Sequence, residues 1–316
     1  MSRTRASHHA SPLRYPGGKA KLAPYFKALL RKNRLLDSTY VEPFAGGGGV
    51  GLALLLHGYV DRIVLNDLSE PIYAFWRGML DEPARFIDRI LSAPLTPEEW
   101  VRQRETFRSS EAKQFELGFA AFYLNRTNHS GILNGGMIGG HAQSSTFGMD
   151  ARFNRQELAA RVSRIARQSE KISVTRLDAA DLLAQISTIC ADRRPFIYID
   201  PPYYVKGRDL YYDFYKDADH GRLRDAIIAL PEVIPWVVSY DNVAPIVALY
   251  DGYETLTYDL SYSVRNGRVG REIMFFSSSL TPADFIEAGI KRGRLGRLDE
   301  ERRRRVDDLE VAVAEA

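Results

Sequence analysis

The sequence predicts an α/β fold: an open, mostly parallel sheet with one antiparallel strand, interrupted by a mainly helical insert. Three observations predict it. Thr39 to Phe44 is an apolar run ending in Gly46-Gly47-Gly48-Gly49. A helix-like stretch follows it, and then a second apolar run, Arg62 to Asp67, which together make a βαβ unit. Strand-like runs alternate with helical stretches again after residue 169. Between these halves the alternation stops for some 90 residues.

In order, Val50 to His57 reads as a helix closed by Gly58, and Glu70 to Leu80 as an apolar helix. The insert carries helical patterns over Glu98–Arg108, Lys113–Arg126 and Arg155–Gln168. Within it Gly131 to Gly148 lacks strong periodicity and is too long for a plain connection, which predicts a functional loop. Strands are expected at Ile172–Thr175, Phe196–Ile199 and Trp236–Tyr240, with helices at Asp181–Ser187, Arg222–Leu230 and Val243–Tyr250. Glu254–Leu260 and Arg271–Ser277 are expected to pair antiparallel across Asn266-Gly267. The expected organisation is 1–80 and 169–280 as two halves of one catalytic domain, 81–168 as the insert, and 281–316 as a basic tail.

Composition sets the class. The 316 residues are 45% hydrophobic and 26% charged, a globular mix, and no apolar run approaches the length of a membrane span. No secretory signal is visible and one cysteine, Cys190, excludes an internal disulfide, so a reducing cytoplasm is expected. Net charge is only +3, yet residues 1–36 carry nine Lys/Arg and no acid, and 101–176 and 291–305 add surpluses of +6 and +5. Such segregation can present a basic face to a polyanion. His8, His9, His57, His129, His141 and His220 show no metal-ligand spacing, so no metal is expected.

Two motifs carry chemistry. Glu42-Pro43-Phe44-Ala45-Gly46-Gly47-Gly48 is a glycine turn between strand and helix, where a ligand can approach the backbone. Asp67 ends the next strand 19 residues after Gly48, a spacing suited to ribose hydroxyls. No Gly-Lys-Ser/Thr ending follows, so an adenosine derivative without demanding phosphates is expected. S-adenosylmethionine fits that description; NAD stays open, because Gly46, Gly48 and Gly51 nominally match its glycine pattern. The second motif, Asp200-Pro201-Pro202-Tyr203, ends an apolar run. Neither proline can extend a ladder, so the strand stops there and leaves a carboxylate, a carbonyl and an aromatic ring together. Two acceptors beside a ring-sized slot suit the exocyclic amine of a flat base.

Four segments in order then resemble the Dam-like DNA adenine-N6 methyltransferases: Leu13 to Lys19, Val41 to Gly48, Asn125 to Gly131, and Asp200 to Tyr203. The resemblance covers about residues 11–280. It implies a Rossmann-like methyltransferase sheet, a DNA-recognition insert and S-adenosylmethionine as cofactor. Tyr15 and Lys19 would line the cofactor pocket, Phe44, Gly46 and Gly48 would lie under its methionine part, and Asp67 would hold its ribose. Asp178 would contact its adenine, with Asp181 as rival. Asp200 and the Pro201 carbonyl would grip the target amine, Pro202 would complete the turn, and Tyr203 would stack on a flipped base. Arg126 and Asn128 would contact DNA.

The implied partner is double-stranded DNA, with no membrane, and cognate restriction or defence proteins are further candidates. Cytosine-N4 methylation stays open as an alternative. So does a weakly catalytic DNA-binding subunit of a defence assembly. The Gly-rich loop departs from the more charged pattern of the family, so a recognition sequence does not transfer.

Overall fold

The computed structural model describes residues 10–14, 19–191, 193–204, 215–261, 269–285 and 288. Seven strands form one sheet in the order β3-β2-β1-β4-β5-β7-β6. They are β1 (Thr39–Glu42), β2 (Arg62–Asn66), β3 (Ile172–Thr175), β4 (Pro195–Ile199), β5 (Trp236–Asp241), β6 (Glu254–Ser261) and β7 (Val269–Phe276). The first five pair parallel, and β7 runs antiparallel to both β5 and β6. Each strand begins within two residues of its expected place. The turn at Asn266-Gly267 lies outside the described residues.

Strand side chains alternate between two apolar layers, as the two-residue period requires. Tyr40, Ile63, Leu65, Phe196, Tyr198 and Val237 face one layer, and Val41, Val64, Ile197, Ile199, Trp236 and Val238 face the other. The first layer is covered by α1 (Ala23–Lys32), α2 (Gly49–Leu56) and α3 (Glu70–Asp81), and beyond them by α4 (Pro83–Ser92), α5 (Pro97–Arg108), α6 (Gln114–Thr127) and α7 (Arg155–Ala166). The second is covered by α8 (Ala179–Ala184), α9 (Ile186–Ile189), α10 (Asp217–Ile228) and α11 (Ala244–Leu249).

Residues 81–168 share the first layer's apolar cluster with α3. The closest approach is at Gly118 of α6, where a Cβ would stand 2.2 Å from the Ala74 carbonyl oxygen of α3. Among the described residues, the helices α1 and α4 fall outside the expected elements. In α1, Tyr25, Phe26, Leu29 and Leu30 bury one face while the basic residues keep the other. In α4 only Phe86 and Ile90 are buried, so its apolar stripe is too sparse to stand out from sequence.

Candidate active site

The strand order reverses between β1 and β4, and the carboxyl ends at such a switch point are where the crevice of an open α/β sheet holds its ligands. Two loops meet there. After β1, Gly46 (φ +46°) and Gly48 (φ +56°) take left-handed conformations that favour glycine. A Cβ on Gly48 would also press to 3.0 Å from the Trp76 ring. Trp76 Nε1 donates to Gly46 O at 2.9 Å, and Gly46 N donates to Asp67 Oδ2 at 2.8 Å. Asp67, at the end of β2, also accepts from Ser69 N through Oδ1 at 3.0 Å. Phe44 is half-buried, its ring edge-on to Tyr215.

Asn66 ties these pieces together and escaped the sequence reading. Fully buried, it donates to the carbonyls of Pro43 and Leu177 and accepts from Leu177 N and Thr175 Oγ1. One amide thus locks the ends of β1, β2 and β3 in register. Asp178 ends the β3 connection, capping α8 by accepting from Ala180 N while its other oxygen pairs with Arg222 at 2.9 Å. Asp181 sits exposed one turn on, so of the two it is Asp178 that stands at the strand end. Tyr15 lies outside the described residues.

After β4, Asp200 turns its carboxylate into the crevice edge with 22% of the side chain exposed. Oδ1 accepts from Lys19 Nζ at 2.8 Å and from Ser239 Oγ at 2.8 Å. Oδ2 has no partner among the described residues. Pro201 and Pro202 are buried, and Tyr204 N donates to Asp241 Oδ1 at 2.9 Å, fixing the exit of the motif against the end of β5.

Lys19, expected to line the cofactor pocket, is found at Asp200. Its side chain is 3% exposed and its ammonium is spent on Asp200, on the Tyr203 hydroxyl at 3.2 Å and on Glu272 Oε2 at 3.4 Å. Glu272, on β7, accepts from the hydroxyls of Tyr203 and Tyr258, each at 2.7 Å. Tyr203 is 5% exposed, with Lys19 5.0 Å from its ring centroid and its hydroxyl anchored on Glu272. Sequence reasoning missed Glu272, Tyr258 and Ser239, because strands far apart in the chain bring them to Asp200. The alternating strand patterns around them signalled burial, not chemistry.

Charge in this cluster is strongly biased. Burial alone would lower the Lys19 ammonium, but Asp200 and Glu272 outweigh it and hold it well above the ordinary lysine value. Burial raises the Glu272 carboxyl, with Lys19 opposing. Glu42, at the end of β1, is pushed up to about 8, chiefly by burial and further by Asp200. It accepts from Tyr40 through Oε1, while its buried Oε2 has no partner among the described residues. His220 lies between the rings of Tyr204, Tyr215 and Tyr240, its Nδ1 3.0 Å from the Tyr240 hydroxyl. Burial lowers its pKa, with Asp241 opposing.

A family model for the D12 class N6 adenine-specific DNA methyltransferases matches residues 15–264, most of the chain and both crevice loops. The chain belongs to this family. It is 23% identical over 265 residues to the Type II methyltransferase M.CviBI of Paramecium bursaria Chlorella virus NC1A, covering 83% of this chain and 95% of that protein. Two structures of the rRNA methyltransferase aviRa from Streptomyces viridochromogenes align with TM-scores of 0.40 and 0.41, both at 16% identity. They cover 91% and 88% of this chain and 97% and 94% of theirs.

The chain is thus a DNA adenine-N6 methyltransferase, and DNA is its substrate. Among the described residues no helix is long and apolar enough to cross a membrane. In the insert of this methyltransferase, the two residues expected to contact DNA sit in different surroundings. Asn128 is fully buried: its Nδ2 donates to the carbonyls of Ile132 and Leu133, and its Oδ1 accepts from Trp100 Nε1 at 2.7 Å. Through these bonds Asn128 shapes the start of the glycine-rich loop. Arg126 differs. It lies among Arg14, Arg152 and Arg161, its Nε has no partner among the described residues, and burial followed by those neighbours brings its pKa down to about 9.

Proposed function

We propose that this enzyme transfers a methyl group from S-adenosylmethionine to the N6 of an adenine flipped out of double-stranded DNA, with Asp200 Oδ2 and the Pro201 carbonyl accepting the two N–H protons. The observation that carries this reading is the asymmetry of Asp200: one oxygen is pinned by Lys19 and Ser239, and the other is left for a ligand at the crevice edge.

The crevice suits the cofactor. Gly46 and Gly48 hold the loop in left-handed turns that favour glycine, and Glu42 keeps a buried, unpartnered oxygen at the end of β1. Burial favours the protonated form of Glu42, and a cationic ligand beside Oε2 would favour the ionised form and satisfy that oxygen. Phe44, Gly46 and Gly48 would bed its methionine part, Asp67 would take the ribose hydroxyls and Asp178 the adenine edge. When bound, the cofactor supplies an electrophilic methyl on a positively charged sulfur.

The remaining steps belong to this chain. The lone pair of an adenine N6 is delocalised into the ring. Accepting both N–H protons draws the nitrogen toward tetrahedral geometry and frees that pair. Lys19 and Ser239 hold Asp200 so that Oδ2 meets the amine without reorganising. Positive charge that develops on the attacking nitrogen falls beside the carboxylate, which stabilises it. A base in a duplex is out of reach of this crevice, so it must leave the stack at a cost of a few kcal/mol. The Tyr203 ring, fixed at its hydroxyl by Glu272, would offer the flipped base a wall.

Sequencing for modified bases in DNA from a host that expresses the protein tests the reading. N6-methyladenine in one recurrent sequence context is expected, absent from a host expressing Asp200→Ala. N4-methylcytosine in its place, or no modified base, would overturn it.

A further inference from the structure

The direction of β7 brings an acid from late in the chain to the catalytic motif. β7 runs against β5, so it starts where β5 ends, at the carboxyl edge of the sheet. Glu272 lies near that start, opposite Asp241 of β5 on one side and Tyr258 of β6 on the other. Were β7 parallel, its first residues would stand at the far edge, a strand length from Asp200.

At this edge Glu272 closes a ring of hydrogen-bonding groups. Its Oε1 accepts from the Tyr203 hydroxyl at 2.7 Å, that hydroxyl accepts from Lys19 Nζ at 3.2 Å, and Nζ meets Glu272 Oε2 at 3.4 Å. Tyr258 donates to the same Oε2 at 2.7 Å and holds the carboxylate from the neighbouring strand. An ammonium has three N–H bonds, and Lys19 gives its third to Asp200 Oδ1 at 2.8 Å. Three donors thus meet three acceptors, and each contact fixes the direction of the other two. Lys19 and Glu272 are almost wholly inaccessible, so bulk water does not replace a lost partner.

The ring ties together the two groups that would hold one base. Asp200 would engage the amine and Tyr203 would lie against the base, and both depend on where Lys19 and Glu272 stand. A displacement of about 1 Å at a reacting group, caused by a change outside it, can cost roughly a hundredfold in rate.

We propose that Glu272 is a positioning residue for methyl transfer: without touching base or cofactor, it orients the Lys19 ammonium and the Tyr203 ring, and through them sets Asp200 on the target amine. This rests on the flipped-adenine reading above and extends the working site to the antiparallel edge of the sheet.

The test uses the full chain and two variants. Glu272→Gln keeps the shape and removes the charge that faces Lys19; Tyr258→Phe keeps every charge and removes one support of Glu272. Single-turnover transfer at saturating cofactor and duplex is expected to fall about tenfold or more in Glu272→Gln and about threefold in Tyr258→Phe. Calorimetric affinities for S-adenosylmethionine and for the duplex are expected to stay within about twofold of wild type. A second readout needs no activity. The 15N signal of the Lys19 ammonium, assigned by its absence from Lys19→Arg, should be visible in wild type at neutral pH, because its three bonds slow exchange with water. In Glu272→Gln it should broaden or vanish.

Transfer by Glu272→Gln within about twofold of wild type, or a loss that appears as weaker binding of cofactor or duplex, overturns the positioning role. An unchanged ammonium signal does the same. If Glu272→Gln fails to fold, the rate of Tyr258→Phe decides, and no change there is equally fatal. Should wild type transfer no methyl to adenine, the flipped-adenine reading fails, and the ammonium signal still decides whether Glu272 orients Lys19.

Discussion

At the residue scale, the cluster around Asp200 is a buried charge network whose members depend on one another. Lys19 is the one cation described between Asp200 and Glu272, and both Lys19 and Glu272 are almost wholly inaccessible. Removing the lysine strands two carboxylates, so Lys19→Met is expected to lower stability by about 3–5 kcal/mol. Adding Glu272→Gln removes one stranded charge while keeping an acceptor for Tyr203 or Tyr258, and part of that loss should return. Urea unfolding of the single and double variants checks the coupling; additive losses would mean that the two residues act independently.

Glu42 adds a pH dependence. Its folded-state pKa lies near 8, above the ordinary 4.5, so the folded protein keeps a proton that the unfolded chain has released. The stabilisation is therefore complete below about pH 4 and drains away as the pH rises to 8, at up to about 1.4 kcal/mol per unit. Melting temperature across that window should fall for wild type and stay flatter for Glu42→Gln. Parallel curves would show that Glu42 is not the source.

At the element scale, backbone approach explains several glycines that no motif singles out. Gly118 lets α6 lie directly on the backbone of α3, and a methyl there meets the Ala74 carbonyl. Gly118→Ala is expected to cost about 3 kcal/mol or more, seen as a lower melting temperature or loss of soluble protein. Gly221 in α10 is the contrast. A Cβ there meets nothing within 4 Å, so Gly221→Ala should stabilise by about 0.5–1 kcal/mol, and a melt of the purified variant checks it.

The same scale shows what was legible in the sequence. Short apolar runs bounded by glycine, proline or an acid gave the strands, since burial on both faces of a parallel sheet leaves that imprint. The α1 helix hid in the basic N-terminal stretch, where Tyr25, Phe26, Leu29 and Leu30 are interleaved with charge. Asp200 was readable because two prolines mark the end of its strand. Ser239 and Glu272 were not, because what brings them to Asp200 is the order β4-β5-β7.

At the scale of the whole molecule, charge segregation translates only in part into a basic surface. Lys19 belongs to the acid-free N-terminal segment yet is buried as a counter-ion, and Asn128, from the same motif as Arg126, is buried. Among the described residues, a basic group remains where α6, α7 and the segment 10–14 meet, around Arg126. The Arg-rich residues 291–305 lie outside the described residues.

All of this geometry converges on the one open oxygen at the end of β4, and its role is tested most directly by pairing two measurements on Asp200→Ala. Calorimetry should give an affinity for S-adenosylmethionine within about threefold of wild type, because Asp67, Asp178 and the glycine loop are untouched. Single-turnover transfer to adenine in duplex DNA should fall by about a thousandfold or more. Transfer within about tenfold of wild type, with the cofactor still bound, would contradict the assignment of Asp200 as the group that engages the target amine.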